Sequence, residues 1–127
     1  MEDGRIAVPS VGEGGLQGEM AGHFGHCDVF TFIDVKNGEI VEVSTLANQE
    51  HVQGGCMVPV NLLASNNVNA LIVGGIGMRP LMGFKHAGIE VYHDAERREI
   101  NPVVEDLIAG KLEIIQENQV CGGGGGN

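Results

Sequence analysis

The chain is poor in aromatic side chains and in bases. Aromatic residues make up 4% of its 127 residues, tryptophan is absent, and 7 Lys and Arg stand against 17 Asp and Glu, a formal net charge of −10. General nucleic-acid binders depend on clustered Lys and Arg that displace phosphate counterions, so no nucleic-acid partner is predicted. No apolar run approaches the roughly 20 residues of a membrane-spanning helix, so no membrane partner is predicted either.

The chain start and the cysteines indicate a reducing compartment. Met1-Glu2-Asp3 carries acids where a signal peptide carries bases, so export is not predicted. Three cysteines cannot all pair within one chain. We expect a cytoplasmic monomer with one domain over residues 1–116. Residues 117–127, which include Cys121 and five consecutive glycines, are predicted to be a flexible tail.

The first half of the chain predicts strands. Arg5–Val8 is a short apolar strand that Pro9-Ser10 is expected to end, and residues 12–26 form an open glycine-rich loop. Both faces of the next strand, Asp28–Val35, are largely apolar, which is typical of a central strand. Asn37-Gly38 is a strong hairpin signal that returns the chain as an antiparallel partner strand.

The second half alternates helices and strands. Asn101 as N-cap and Pro102 at the first position are expected to start the last helix, and Gly110 to end it. The other predicted elements are helices over about 57–66 and 79–87 and strands over 69–73 and 89–92. The order βββαβαβα predicts an α/β fold. Its mixed five-stranded sheet has three antiparallel strands first and helices on both faces.

Glycine is in excess, at 21 of 127 residues, and the first glycine-rich segment with candidate ligands is Gly22-His23-Phe24-Gly25-His26-Cys27. Imidazole together with thiolate suits copper, zinc or iron–sulfur chemistry. The alternative is that Cys27 is a small buried hydrophobe with no ligand role.

The second segment, His51-Val52-Gln53-Gly54-Gly55-Cys56, leads into a predicted helix. A cysteine at a helix N-terminus feels the positive end of the helix dipole, which favours thiolate. The diglycine would let a bulky ligand reach backbone N–H groups. The alternative is a loop that needs positive φ, with Cys56 packed under the sheet.

The third segment, Gly74-Gly75-Ile76-Gly77, joins a strand to a helix and is followed by Met78 and Arg79. Free N–H groups at a helix N-terminus beside an Arg are suited to an anion. The spacing matches neither the Walker A loop nor the dinucleotide-binding GxGxxG pattern. Together the three segments could line one rim of an open α/β sheet, where such folds bind ligands.

Taken in order, these motifs resemble the dinitrogenase iron–molybdenum cofactor binding family, which includes nitrogenase cofactor carriers and the orange protein with its molybdenum–copper sulfide cluster. The resemblance covers roughly residues 5–116. The matching stretches are Arg5–Pro9, His23-Phe24-Gly25, Glu50–Gly54, Gly75–Arg79, Gly88–Val91 and Val103–Leu112. Position 26 is often Arg in relatives but is His here, and Cys27 replaces a small residue.

The resemblance implies a ribonuclease H-like fold and non-enzymatic binding or carriage of an anionic metal–sulfur cluster, either molybdenum–iron–sulfur or molybdenum–copper–sulfur. A cluster donor or recipient protein is the implied partner. The candidate cofactor-binding residues are His23, Phe24, Gly25, His26, His51, Gly54, Gly55, Gly75, Ile76, Gly77, Met78 and Arg79. The candidate metal ligands are Cys27, Cys56 and Cys121.

Other functions compete with cluster carriage. An ordinary copper or zinc site could serve metal handling or thiol redox sensing through the three cysteines. A metal-dependent nuclease needs carboxylates that converge from neighbouring strands, whereas Asp28 and Asp34 share one strand. The tail could also serve as a docking arm for another protein.

Overall fold

The computed structural model describes residues 3–22, 24, 27–48, 57–94, 96 and 99–116, without the side chains of residues 57–59. The elements in chain order are β1 (Gly4–Val11), β2 (Glu19–Met20), β3 (Val29–Lys36), β4 (Glu39–Ala47), α1 (Met57–Ser65), β5 (Ala70–Val73), α2 (Met78–Ala87), β6 (Glu90–His93) and α3 (Ile100–Ile108). None of the helices among these residues is long and apolar enough to span a bilayer.

The strands form one mixed sheet in the order β4-β3-β1-β5-β6, with β2 paired to β1. The pairs β1–β3 and β3–β4 are antiparallel, as predicted, and β5 and β6 run parallel to β1. Asn37 and Gly38 both have positive φ, 54° and 77°, which is the predicted hairpin geometry between β3 and β4.

The prediction of five strands with an open loop over residues 12–26 was wrong by one strand. Glu19 and Met20 of β2 pair with Val11 and Ser10 of β1. A two-residue strand inside a glycine-rich segment is too short to show a periodicity of its own, and it is defined here by its pairing with the end of β1.

The prediction that Pro9 ends the first strand was also wrong, since β1 continues to Val11. The Pro9 carbonyl accepts a hydrogen bond from the Ala21 N–H at 2.8 Å, so the polar groups of Pro9 face away from β3. On that side, β5 pairs only with Ile6 and Ala7. The missing proline N–H therefore leaves no acceptor of the sheet unsatisfied.

Alternate residues of the sheet feed two hydrophobic cores on opposite faces, which confirms the prediction of helices on both faces. Ile6 and Val8 of β1 pack with α3, whereas Ala7 packs in the core that holds α1 and α2. The two faces thus receive different layers, α3 on one and the α1–α2 pair on the other.

The third helix starts earlier than its sequence suggested. Glu99, not Asn101, is the N-cap, and no side chain caps the helix. The Ile100 N–H donates instead to the Gly18 carbonyl at 3.2 Å, so a contact from the loop before β2 sets the start. Gly110 has φ +78° just past the helix end and donates to the Leu107 carbonyl, as the predicted stop requires.

Candidate functional site

The topology directs several loops to one end of the sheet, which we call the carboxyl edge. The strands β1, β5 and β6 are parallel and end there. The strand β3 is antiparallel to β1 and starts there, and β4 is antiparallel to β3 and ends there. The chain before β3, after β4 and after β5 therefore meets at one edge, where open α/β sheets bind ligands.

Two hydrogen bonds join these segments. The Phe24 N–H donates to the Gly75 carbonyl at 2.8 Å and links the first glycine-rich segment to the third. The Asn48 Nδ2 donates to the Cys27 carbonyl at 2.9 Å and links the end of β4 to the first segment. The structure thus brings Phe24 and Gly75 together.

Phe24 anchors the first segment to the core under α2. It is 4% exposed and meets Phe84 edge-on, with ring centroids 5.2 Å apart and an interplanar angle of 83°. Phe30 of β3 lies on its other side, with a centroid separation of 5.9 Å. Edge-to-face pairs at these distances are favourable, so the ring fixes where the loop backbone meets the third segment.

The third segment is a largely buried connection between β5 and α2. Gly75 and Gly77 are buried, and the Ile76 side chain is fully buried in the core. Gly77 is the N-cap of α2 with extended φ and ψ of −79° and 165°, and no side chain caps this end. The helix begins at Met78, one residue before its predicted start.

This end of α2 offers a run of unused donors. The first N–H of the helix that pairs internally is that of Leu81, which donates to the Gly77 carbonyl at 3.2 Å. Pro80 has no N–H. Within the described parts of the chain, the N–H groups of the five residues from Gly75 to Arg79 have no hydrogen-bond acceptor. Such donors at the positive end of a helix dipole suit an anion.

The side chains around these donors differ in role. Arg79 is exposed in the first turn of α2 and can add positive charge. Met78 is half-buried and packs on the core. The Cys27 thiol is fully buried and is not in a disulfide. No three His, Cys, Asp or Glu side chains converge as a metal site among the residues that the structure describes.

The remaining predicted site residues lie outside the described residues. They are His23, Gly25, His26, His51, Gly54, Gly55, Cys56 and Cys121. Their roles stay predictions, as does the boundary between the domain and the tail at residue 116.

Sequence reasoning missed two residues at this edge. Asn48 donates its backbone N–H to the Asp28 carbonyl at 3.1 Å as well as its side chain to Cys27. Asp94 follows β6, and its N–H donates to the Val73 carbonyl at 3.0 Å, which places an acid beside the start of the third segment. The sequence could have indicated them only by their position, since each residue directly follows a strand that ends at this edge.

Comparisons with known proteins agree with this architecture. An uncharacterised protein of Methanocaldococcus jannaschii, MJ0580, is 34% identical over 93 residues, which are 72% of this chain and 78% of that protein. The apo form of the orange protein from Desulfovibrio gigas has a TM-score of 0.79 at 23% identity, over 90% of this chain and 94% of that one. A candidate NifB protein from Thermotoga, TM1290, has a TM-score of 0.71 at 27% identity, over 90% and 98% of the two chains.

The family model described as "Dinitrogenase iron-molybdenum cofactor" matches residues 4–110. This range contains every described element and all three glycine-rich segments. The chain belongs to the dinitrogenase iron–molybdenum cofactor family.

Proposed function

We propose that the protein binds and carries an anionic metal–sulfur cluster at the carboxyl edge and catalyses no reaction on it. Membership of the family supports a cofactor-binding or carrier role, and so does the likeness to the orange protein and the candidate NifB protein. The family model covers the whole edge, so the proposal concerns the same part of the chain that carries the resemblance.

The observation that carries the proposal is the run of N–H groups from Gly75 to Arg79, at the start of α2, that have no acceptor among the described residues. A cluster with sulfide at its surface is a diffuse anion that can accept several such bonds at once. The chain has a formal net charge of −10, so an anion is repelled by most of the surface. Local donors and the exposed Arg79 then decide where it can bind.

We propose a molybdenum–iron–sulfur or a molybdenum–copper–sulfur cluster as the cargo, and keep the ribonuclease H-like classification as our interpretation of the fold. The histidines His23, His26 and His51 would donate hydrogen bonds to the cluster or ligate its metal. Their segments adjoin Phe24, Cys27 and Asn48, which the structure ties to the carboxyl edge.

Reconstitution tests the proposal directly. Metal-free protein is incubated anaerobically with tetrathiomolybdate and Cu(I), and separately with isolated iron–molybdenum cofactor. Gel filtration, visible absorption and elemental analysis then measure what is retained. Stoichiometric molybdenum and sulfide with a cluster spectrum support the proposal. Zinc or copper alone, without molybdenum or sulfide, would instead support the simple metal-handling alternative.

Replacing Arg79 tests the electrostatic part of the site. We expect Arg79→Ala to weaken cluster retention up to about fivefold, since an exposed ion pair contributes at most about 1 kcal/mol. Lys85→Ala is the matched control, because it removes the same charge from an exposed position in the last turn of the same helix. Equal losses in both variants would show that only net charge matters.

Two further variants separate covalent from electrostatic binding. If the cluster is held by backbone donors and Arg79, Cys56→Ser costs less retention than Arg79→Ala, and the reverse order indicates a thiolate ligand. A triple variant of His23, His26 and His51 to Ala is expected to lose most of the cluster. Full retention in that variant contradicts the histidine assignment.

A further inference from the structure

The acids of this chain avoid one long segment. Residues 51–89 contain no Asp or Glu, and all 17 acidic residues of the chain lie outside that stretch. Arg79 and Lys85 lie within it, so the segment is positively charged in a protein of net charge −10. This segment contains α1, β5 and α2.

The two helices of this segment lie together on one face of the sheet. The helices α1 and α2 pack against each other and share the same hydrophobic core, while β5 is buried beneath them. We call the outward sides of Met57–Ser65 and Met78–Ala87 the α1–α2 face. The helix on the opposite face of the sheet, α3, carries Glu105 and Asp106. The two faces of the molecule therefore differ in charge.

The α1–α2 face has the composition of a protein interface. Successive helical residues are about 100° apart, which places Arg79, Met82 and His86 together on the side of α2 opposite its buried Leu81 and Phe84. Met82 is 48% exposed and adds a large apolar side chain to this face. Protein interfaces are enriched in Met and Arg and depleted of Asp, Glu and Lys, so Arg79 and Met82 match this composition, whereas Lys85 contributes through its charge.

We infer that the α1–α2 face is a docking surface for another protein whose facing surface is acidic. Charge complementarity favours this partner, since the acids on β2, β3, β4, β6 and α3 repel an acidic surface and orient the encounter. Nucleic acid is a poorer match, because Arg79 and Lys85 together can neutralise only a few phosphates. An anionic membrane is also a poorer match, because each Lys or Arg near its surface contributes only about 1 kcal/mol to the binding free energy.

Docking here would bring the partner beside Arg79 and the carboxyl edge. The inference deepens the proposed function by assigning the donor or recipient of the cluster a surface and a charge. Binding of the partner is measured with purified, cluster-free protein, so its failure is distinct from a failure of cluster binding. Cluster retention without docking would contradict the docking surface but not the proposed function. Docking without cluster retention would contradict the proposed function but not the docking surface.

Site-specific crosslinking in the native host tests the surface. A benzophenone amino acid replaces Met82 in the full chain, with the same replacement at Val41 as the control, because Val41 is also apolar and is 61% exposed on β4. We expect position 82 to crosslink a protein through an acidic peptide at a yield at least tenfold above position 41. Crosslinks to nucleic acid, to lipid or to a second copy of this chain would overturn the inference, as would equal yields or none.

Charge reversal then tests complementarity with the crosslinked protein in purified form. We expect Lys85→Glu to weaken binding at least fivefold in fluorescence anisotropy, and raised salt to weaken the wild-type complex. Lys111→Glu is the matched control, since Lys111 is equally exposed but lies after α3. Circular dichroism checks that both variants are folded. Binding that is insensitive to Lys85→Glu would contradict the assigned surface.

Discussion

The two ends of the sheet differ in whether their hydrogen-bond donors already have acceptors within the protein. At the amino end of β1, each nitrogen of the Arg5 guanidinium donates a hydrogen bond to a neighbouring residue. Its Nε and Nη2 donate to the two carboxylate oxygens of Asp34 at 2.7 and 3.2 Å, and its Nη1 donates to the Asn66 carbonyl at 3.0 Å. The hydrogen bond to Asp34 raises the pKa of Arg5. The donors of the Arg5 side chain at this end therefore already have acceptors within the protein.

The carboxyl edge is held instead by backbone groups and by an aromatic anchor. The Phe24 N–H meets the Gly75 carbonyl, while the N–H groups from Gly75 to Arg79 have no acceptor within the described residues. At the amino end of β1 the Arg5 donors are therefore occupied by protein acceptors, whereas at the carboxyl edge the backbone donors from Gly75 to Arg79 are available to a ligand. The available end is where a ligand can gain hydrogen bonds without displacing any.

Cavity size does not identify the site. A cleft of about 520 Å³ lies near the amino ends of β5 and β6, and Asp3, Asn69, Glu90 and Tyr92 help to line it. Two carboxylates in its wall disfavour an anion. The N–H groups from Gly75 to Arg79 and the exposed Arg79 favour the carboxyl edge over this cleft for an anion, while Asp94 is an acid beside the third segment.

The largest expected effect comes from removing the anchor of the carboxyl edge. Phe24→Ala deletes a ring that is 4% exposed between Phe84 and Phe30, so the free energy of unfolding should fall by about 3–5 kcal/mol. Cluster retention should fall with it, since the loop loses its position against Gly75. Urea denaturation measures the first effect, and Phe24→Leu, which keeps most of the apolar volume, should lose less of both.

Breaking the amino end should affect stability alone. Arg5→Ala removes the Asp34 ion pair and the contact of the guanidinium with the Phe32 ring, 5.4 Å away, at a cost of about 1–2 kcal/mol. Lys36→Ala removes the same charge from an exposed position at the end of β3 and should cost less than about 0.5 kcal/mol. Loss of cluster retention in Arg5→Ala at temperatures where it remains folded would break the comparison between the two ends.

The smallest expected effect is a loss of folding stability at alkaline pH, caused by Tyr92 in the wall of the cleft. Burial, followed by the hydrogen bond to Glu90 at 2.8 Å, raises the pKa of Tyr92 above its usual 10.0. The folded state therefore binds this proton more tightly than the unfolded state, and the resulting stability is present below pH 10 and lost as the pH rises through the folded pKa.

Urea unfolding of wild type and Tyr92→Phe over the alkaline range measures this loss. The wild-type midpoint should fall more steeply above about pH 10 than the midpoint of the variant, which lacks the titrating group. Parallel curves would show that Tyr92 titrates alike in both states.

Local signals predicted much of the fold. Asn37-Gly38 forms the expected hairpin because both residues tolerate positive φ, and Gly110 ends α3 for the same reason. The helices α1 and α2 lie within one residue of their predicted bounds. The misses, at Pro9, at Glu19-Met20 and at Asn101, share one cause. In each case a hydrogen bond or strand pairing from a distant segment overrides the local preference.

The candidate site shows the same division. The sequence by itself determined the ligand-competent residue types, the glycine excess and the position of Arg79 after Gly74–Gly77, since these depend on composition and on neighbours along the chain. Only the tertiary structure decided that the Phe24 N–H meets the Gly75 carbonyl, that the Cys27 thiol is buried, and that α1 and α2 lie together on one face of the sheet. Those outcomes require contacts between residues far apart in sequence, which packing on both sides of the sheet selects and no local pattern encodes.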